Sequence, residues 1–166
     1  MKKLMIIPAL IALTAMVSCN HCRQEADERT AADGREAFES FGEHFGKMSA
    51  FAYTEMNGRE VLLVSQETFG ENDTADLEAI EASLFALDGE GGIVALGSIR
   101  SQGTLYPVSE LDGKLMVAGH QFVKIYSLRG DIPELVLESY GEGESPRLTE
   151  MFRTFEQGTP IRFERK

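Results

Sequence analysis

The 166-residue chain has no tryptophan, two cysteines, three histidines and five prolines, and its 27 acidic residues outnumber 16 basic ones. Each shortage removes a class of explanation. Without indole rings a stacked-indole platform for carbohydrate is not available, although ten Phe and four Tyr leave weaker versions of one. Cys19 and Cys22 both lie near one terminus, so they cannot staple a core and the fold must rest on burial alone. His21, His44 and His120 are far apart without paired ligand spacing, which gives zinc little support. A formal net charge of −11 repels phosphate backbones and anionic headgroups alike, which disfavours nucleic acid and electrostatic membrane adhesion. Long hydrophobic runs are scarce as well. The one from Leu4 to Val17 is shorter than the ~20 residues a membrane-spanning helix requires.

What is present begins with that run. Lys2 and Lys3, the apolar stretch, Ser18 and Cys19 make a short, cationic, cleavable export signal. Met16-Val17-Ser18-Cys19 resembles a bacterial lipobox, with Met16 standing where Leu is usual. The resemblance implies a diacylglyceryl group on the Cys19 sulfur, cleavage ahead of it, and a lipoprotein held by two or more acyl chains, palmitate among them. The competing reading is an ordinary secretory peptide cut near Ser18, leaving Cys19 and Cys22 as plain thiols or a small disulfide loop. If Cys19 is acylated, Cys22 is left over as a reactive thiol or an intermolecular partner. Asn20 to Asp33, NHCRQEADERTAAD, is charged or small with no apolar period, the composition of a flexible tether. Its acids, soon after the cysteine, resemble the surface-export signals of Bacteroides-group lipoproteins, against the plainer reading of a solvated linker. Asn20 is not the Asp that retains enteric lipoproteins at the inner membrane, so the resemblance implies the outer membrane, on its periplasmic or surface face. The expected organisation is a signal peptide over 1–18, a lipidated Cys and tether over 19–33, and a single β-rich domain over 34–166.

Beyond the tether the hydrophobic period changes twice. Phe38, Phe41, Phe45 and Met48 recur at spacings of three, four and three, which predicts an amphipathic helix over 35–48, weakened by Gly42 and Gly46. From Ala50 onward four units share the build of a hairpin. Phe51–Thr54 turns through Asn57-Gly58 into Val61–Ser65, and Leu84–Leu87 through Asp88-Gly89 and Gly91-Gly92 into Ile93–Ile99. Leu105–Leu111 turns through Asp112-Gly113 into Leu115–Ala118, and Phe122–Leu128 through Arg129-Gly130-Asp131 into Leu135–Tyr140. Asn-Gly and Asp-Gly supply the positive φ angles of tight hairpin turns. Pro107, with no amide hydrogen, marks an edge or a bulge. Phe69–Leu77 forms the longest acidic loop, although Leu77, Ile80 and Leu84 also fit a short helical stripe. Leu148, Met151, Phe152 and Phe155 then return to helical spacing between Pro146 and Gly158, and Ile161–Phe163 offers a last strand. The predicted class is α+β: an antiparallel β-meander of about eight strands, with an N-terminal and a C-terminal amphipathic helix covering one face of one sheet.

The hairpins around Asn57-Gly58 and Asp112-Gly113 resemble those of small exported bacterial proteins with Asp-Gly repeats, whose better-formed members look like calcium binders. Here Glu55, Asn57, Arg59 and Glu60, and Glu110, Asp112 and Lys114, occupy the matching positions. A cation at Arg59 or Lys114 opposes a metal, so no metal and no cofactor is expected. No Gly-x-Ser-x-Gly elbow or phosphate loop is found, and His120, between two strands, reads first as a structural histidine, so no catalytic residue is assigned. Asp73-Thr74-Ala75 resembles the O-glycosylation site of Bacteroides exported proteins, making Thr74 a candidate modification site. Arg129-Gly130-Asp131 spells the tripeptide that integrins bind, in a segment where turns favour Gly and Asp anyway. The expected function is that of a lipid-anchored envelope protein that binds a protein or glycan partner. Two alternatives stand beside it: a periplasmic inhibitor of a cationic hydrolase such as lysozyme, and a hydrolase built from dispersed carboxylates or His120.

Overall fold

Val61-Leu62-Leu63-Val64 and Leu115-Met116-Val117-Ala118 are apolar at consecutive positions. Because alternate side chains of a strand point to opposite faces, such runs need cover on both sides. In the computed structural model, which describes residues 34–71 and 74–165, both runs are buried throughout and lie in two different sheets.

After a helix α1 over 34–42, the first sheet is a meander of β1 (Ala50–Met56) and β2 (Arg59–Ser65), followed, past a small ladder of β3 (Thr68–Phe69) with β4 (Glu78–Ala79), by β5 (Glu81–Leu87) and β6 (Ile93–Arg100). The second meander is β7 (Ser109–Leu111), β8 (Lys114–Gly119), β9 (Phe122–Arg129) and β10 (Glu134–Glu142). Helix α2 (Pro146–Phe155) follows, its first turn capped by the Ser145 hydroxyl accepting from the Leu148 amide at 3.1 Å. Finally β11 (Thr159–Pro160) pairs with β7 and β12 (Glu164–Arg165) pairs with β1. All named pairings are antiparallel, and the α+β class holds.

The two sheets lie face to face. Ala52, Val61, Leu63 and Leu84 from the first meet Leu115, Val117 and Leu128 from the second in one buried cluster, with Phe163 fully enclosed between them. Each sheet is then covered on its outside by one helix. Phe38 and Phe41 of α1 and the following Phe45 sit on Phe51, Leu62, Val64 and Phe85. Leu148, Met151 and Phe155 of α2 sit on Met116, Ala118 and Val123. The result is four layers, helix–sheet–sheet–helix, instead of one sheet with both helices on one face. The expected eight strands are present, each within a few residues of its expected position.

Four local expectations need correction. The first helix stops at residue 42, where turns over 41–45 and 46–49 replace it, and Phe45 still reaches the aromatic cluster while Met48 is 68% exposed. Leu105 and Pro107 precede β7 in irregular chain and are not part of it. Leu77, Ile80 and Leu84 are not helical, since 78–79 and 81–87 are strands. Residues 161–163 are the crossover between β11 and β12, so the last strand is split between the two sheets. Phe163 nevertheless bridges Leu77 through both backbone groups, at 2.7 and 3.0 Å.

The turns behave as their composition demands. Asn57 and Gly58 have φ of 51° and 76°, and Asp112 and Gly113 have 50° and 70°, each joining strands through two residues. Alanine at Gly113 meets this left-handed backbone and places its Cβ 3.5 Å from the Asn57 nitrogen. Gly113→Ala is expected to lower stability by about 1 kcal/mol, read as a shift in the urea midpoint with unchanged slope. Gly113→Asn, which tolerates this conformation better, should lose clearly less.

Candidate binding surfaces

The two hairpins that resemble calcium-binding repeats come from different sheets and meet at one end of the sandwich. The Thr54 hydroxyl donates to Glu110, Gly113 lies against the Asn57 backbone, and the Asn57 amide donates to the Leu128 carbonyl at 2.5 Å. Arg59 reaches the Asp131 carbonyl at 3.0 Å, which ties the Arg129-Gly130-Asp131 turn to the same end. These polar groups hold one another. Among the described residues no three His, Cys, Asp or Glu side chains gather as a metal site.

Three open clefts line the surface, the first of them beside the Asn57-Gly58 hairpin. The widest, about 890 Å³, runs past Arg35, Tyr53, Glu55, Glu60 and Asp88. Its charges are largely spent internally: the Arg35 guanidinium stacks 3.6 Å from the Tyr53 ring centroid and donates to Glu60. Burial pushes the Tyr53 phenol above its ordinary pKa, opposed by the positive charge of Arg35. A second cleft of about 640 Å³ adjoins the start of α2, lined by His120, Gln121, Ser145 and Phe152. Tyr106 meets His120 edge-on, its hydroxyl 3.4 Å from Nδ1. Tyr106 is the one side chain with a hydrogen bond to His120 among the described residues, and Glu144, Ser145 and Thr149, which line the same cleft, make none to it. A third cleft, about 590 Å³, is bounded by Glu71, Asp76, Glu78 and Arg162, with Arg162 paired to Glu78 at 2.8 Å. Thr74 lies in the adjoining loop, exposed, its carbonyl held by the Arg165 amide at 2.8 Å.

The remaining feature is an open side of the sandwich. Among the described residues β6 and β10 are the outermost strands of their sheets, pair only with β5 and β9, and approach each other. The opposite edges are two-residue strands. On β10, Leu135, Leu137 and Tyr140 stand opposite Leu128, Tyr126 and Lys124 in register, placing them on the face toward the other sheet. On β6, Val94 stands opposite buried Ala86, and Leu96, at a bulge, packs on the core. The mouth between the strands is therefore a slot lined mainly by apolar side chains, with Glu142 at its end. Leu137 is 47% and Tyr140 37% exposed there. Lys124 lies within it, 5.3 and 5.7 Å from the Phe122 and Tyr140 ring centroids.

No family model, curated protein or solved structure matches the chain. Its surfaces must therefore be read from their own chemistry. Cys19, Cys22 and His21 lie outside the described residues, while His44, on the turn after α1, and His120, between β8 and β9, sit on different sheets' sides of the sandwich. The open slot escaped the sequence reading, because apolar residues mark a strand without showing whether it has neighbours on both sides. Val94, Leu96, Leu135, Leu137 and Tyr140 belong to strands that, among the described residues, have no neighbour on one side. No helix among the described residues is long and apolar enough to cross a membrane.

Proposed function

We propose that the protein is a lipid-anchored envelope protein, held at the outer membrane through Cys19, whose acidic β-domain binds a protein or glycan partner. The observation that carries the anchor is Met16-Val17-Ser18-Cys19 at the end of a cationic, apolar leader and directly before an acidic tether. Two or more acyl chains give stable attachment where one does not. The binding role is supported by the slot between β6 and β10, where apolar side chains and strand edges are left open to a partner. Labelled palmitate should enter the chain expressed in its native envelope, and Cys19→Ala should abolish the label and release the protein into the soluble fraction. Label that persists in Cys19→Ala, or wild-type protein that takes up none, overturns the anchor.

A second reading follows from charge. An acidic domain meets a basic enzyme quickly, which suits a periplasmic inhibitor of a cationic hydrolase. Lysozyme that keeps its full rate in excess protein rejects that hydrolase as the target. We also propose Thr74 as a glycosylation site, supported by its exposure in a polar loop. The exported chain should then show a glycan mass that disappears in Thr74→Ala, whereas an unmodified intact mass removes the assignment.

A further inference from the structure

Resting on the reading of a partner-binding domain, we infer that the slot between β6 and β10 takes an extended, cationic polypeptide segment, which adds as a strand along β10. The segment's alternate apolar side chains enter between Leu137 and Tyr140 on one side and Val94 and Leu96 on the other.

Three observations converge on this occupant. β10 is nine residues long and, among the described residues, has a neighbour only on its β9 side, so its outer backbone groups can pair with an added strand. Leu135, Leu137 and Tyr140 face inward at its mouth, with Glu142 at the end of the same face, and Leu137 and Tyr140 are left partly exposed, in contrast to the two-residue edges across the sandwich. The rim is negative. Glu134 and Glu142 on β10, and Glu144 just beyond it, are exposed and outside the four ion pairs among the described residues.

The same charges decide against other occupants. Antiparallel pairing of β10 with a second copy about Glu138 sets Glu134 against Glu142, and like charges directly opposite are destabilising. The chain's own tether, rich in Glu and Asp, meets the same repulsion and has no apolar alternation to offer. On β6, Arg100 is already neutralised by Glu67 at 2.6 and 3.0 Å. Glu138 is matched by Lys114 at 2.7 Å, whose hydrogen bond holds that carboxyl below its ordinary pKa. Among the described residues Lys124 is the one cation facing into the slot, and it is outnumbered by the acids of the rim. A partner segment with Lys or Arg near its ends and apolar residues at alternate positions satisfies both features at once.

The test uses the full exported chain and a displayed library of random peptides about as long as β10. Selected peptides should alternate apolar and polar residues and carry Lys or Arg near their ends. Their affinity should fall roughly tenfold or more in Leu137→Lys, and should weaken as salt screens the rim. Leu137 is half exposed, so an unchanged melting curve is expected for this variant. Met48→Lys, on the other side of the molecule, should leave binding intact. Peptides without this pattern, or with affinity indifferent to Leu137→Lys, overturn the slot while leaving partner binding elsewhere in place. Recovery of no peptide also overturns it, and crosslinking in the native envelope then decides the broader reading separately.

Discussion

Phe163→Ala is expected to cost about 3–5 kcal/mol of unfolding free energy, a large part of what an ordinary domain possesses. The ring is fully enclosed between the two sheets, so truncation loses its transfer energy and leaves a cavity lined by residues of both. Position adds to chemistry. Residues 161–163 carry the chain from β11 on the second sheet to β12 on the first, and Phe163 bonds Leu77 through its amide and carbonyl. That crossover is the closing contact of the sandwich on the side opposite β6 and β10. Urea unfolding should show a lower midpoint, and hydrogen exchange should accelerate first at the amides of Leu77, residue 163 and Arg165. Phe163→Leu keeps much of the volume and should lose well under half as much. A loss below ~1 kcal/mol for the alanine variant would mean that the face-to-face packing does not depend on this joint.

The expected strands and the two helices were legible because local rules govern them. Asn57-Gly58 and Asp112-Gly113 encode two-residue turns whatever surrounds them, and Leu148, Met151 and Phe155 form a stripe that Ser145 and Pro146 introduce. Sheet number was harder. A meander of eight strands and two meanders of four use the same turns, and the difference lies in the connection from β6 to β7, which carries no distinctive signal. The apolar density of the central strands accounts for the second sheet. Val61–Val64 and Leu115–Ala118 have no polar face, so each needs a sheet on one side and a helix on the other. One sheet with both helices on one face leaves its second face bare.

The surfaces were less legible than the fold because an edge is a property of the whole sheet. Nothing in Glu134–Glu142 marks it as an outer strand until the order of its neighbours is known. The bulges at Leu96 on β6 and at Glu138 on β10, with glutamates along β10, are devices that keep open edges from indiscriminate pairing. They leave one kind of partner favoured, since what repels an acidic strand attracts a basic one. Conversely, the Arg-Gly-Asp turn and the hairpin acids were visible as motifs, yet they fold against one another at the end of the sandwich, and much of their hydrogen-bonding capacity serves the fold.

Phe38→Ala carries the second large effect, again about 3–5 kcal/mol, and it tests whether α1 is part of the folded unit. Phe38 is fully buried, its ring 6.2 Å from that of Tyr53. Two glycines let the helix come this close. A Cβ on Gly34 would lie 2.9 Å from a Leu87 methyl, and one on Gly42 would lie 3.3 Å from the Phe51 ring. Without the Phe38 anchor, the outer face of the first sheet, including Phe51, Leu62, Val64 and Phe85, loses its cover. The variant should bind a hydrophobic dye and be cut by protease between residues 43 and 49 under conditions that leave the wild type whole. Met48→Ser supplies the contrast. That side chain, placed by spacing on the same stripe, is 68% exposed and should change stability by no more than about 0.5 kcal/mol. A dye-negative, protease-resistant Phe38→Ala with near-native stability would show that the first sheet stands without its helix, and that the four-layer arrangement is not what holds it.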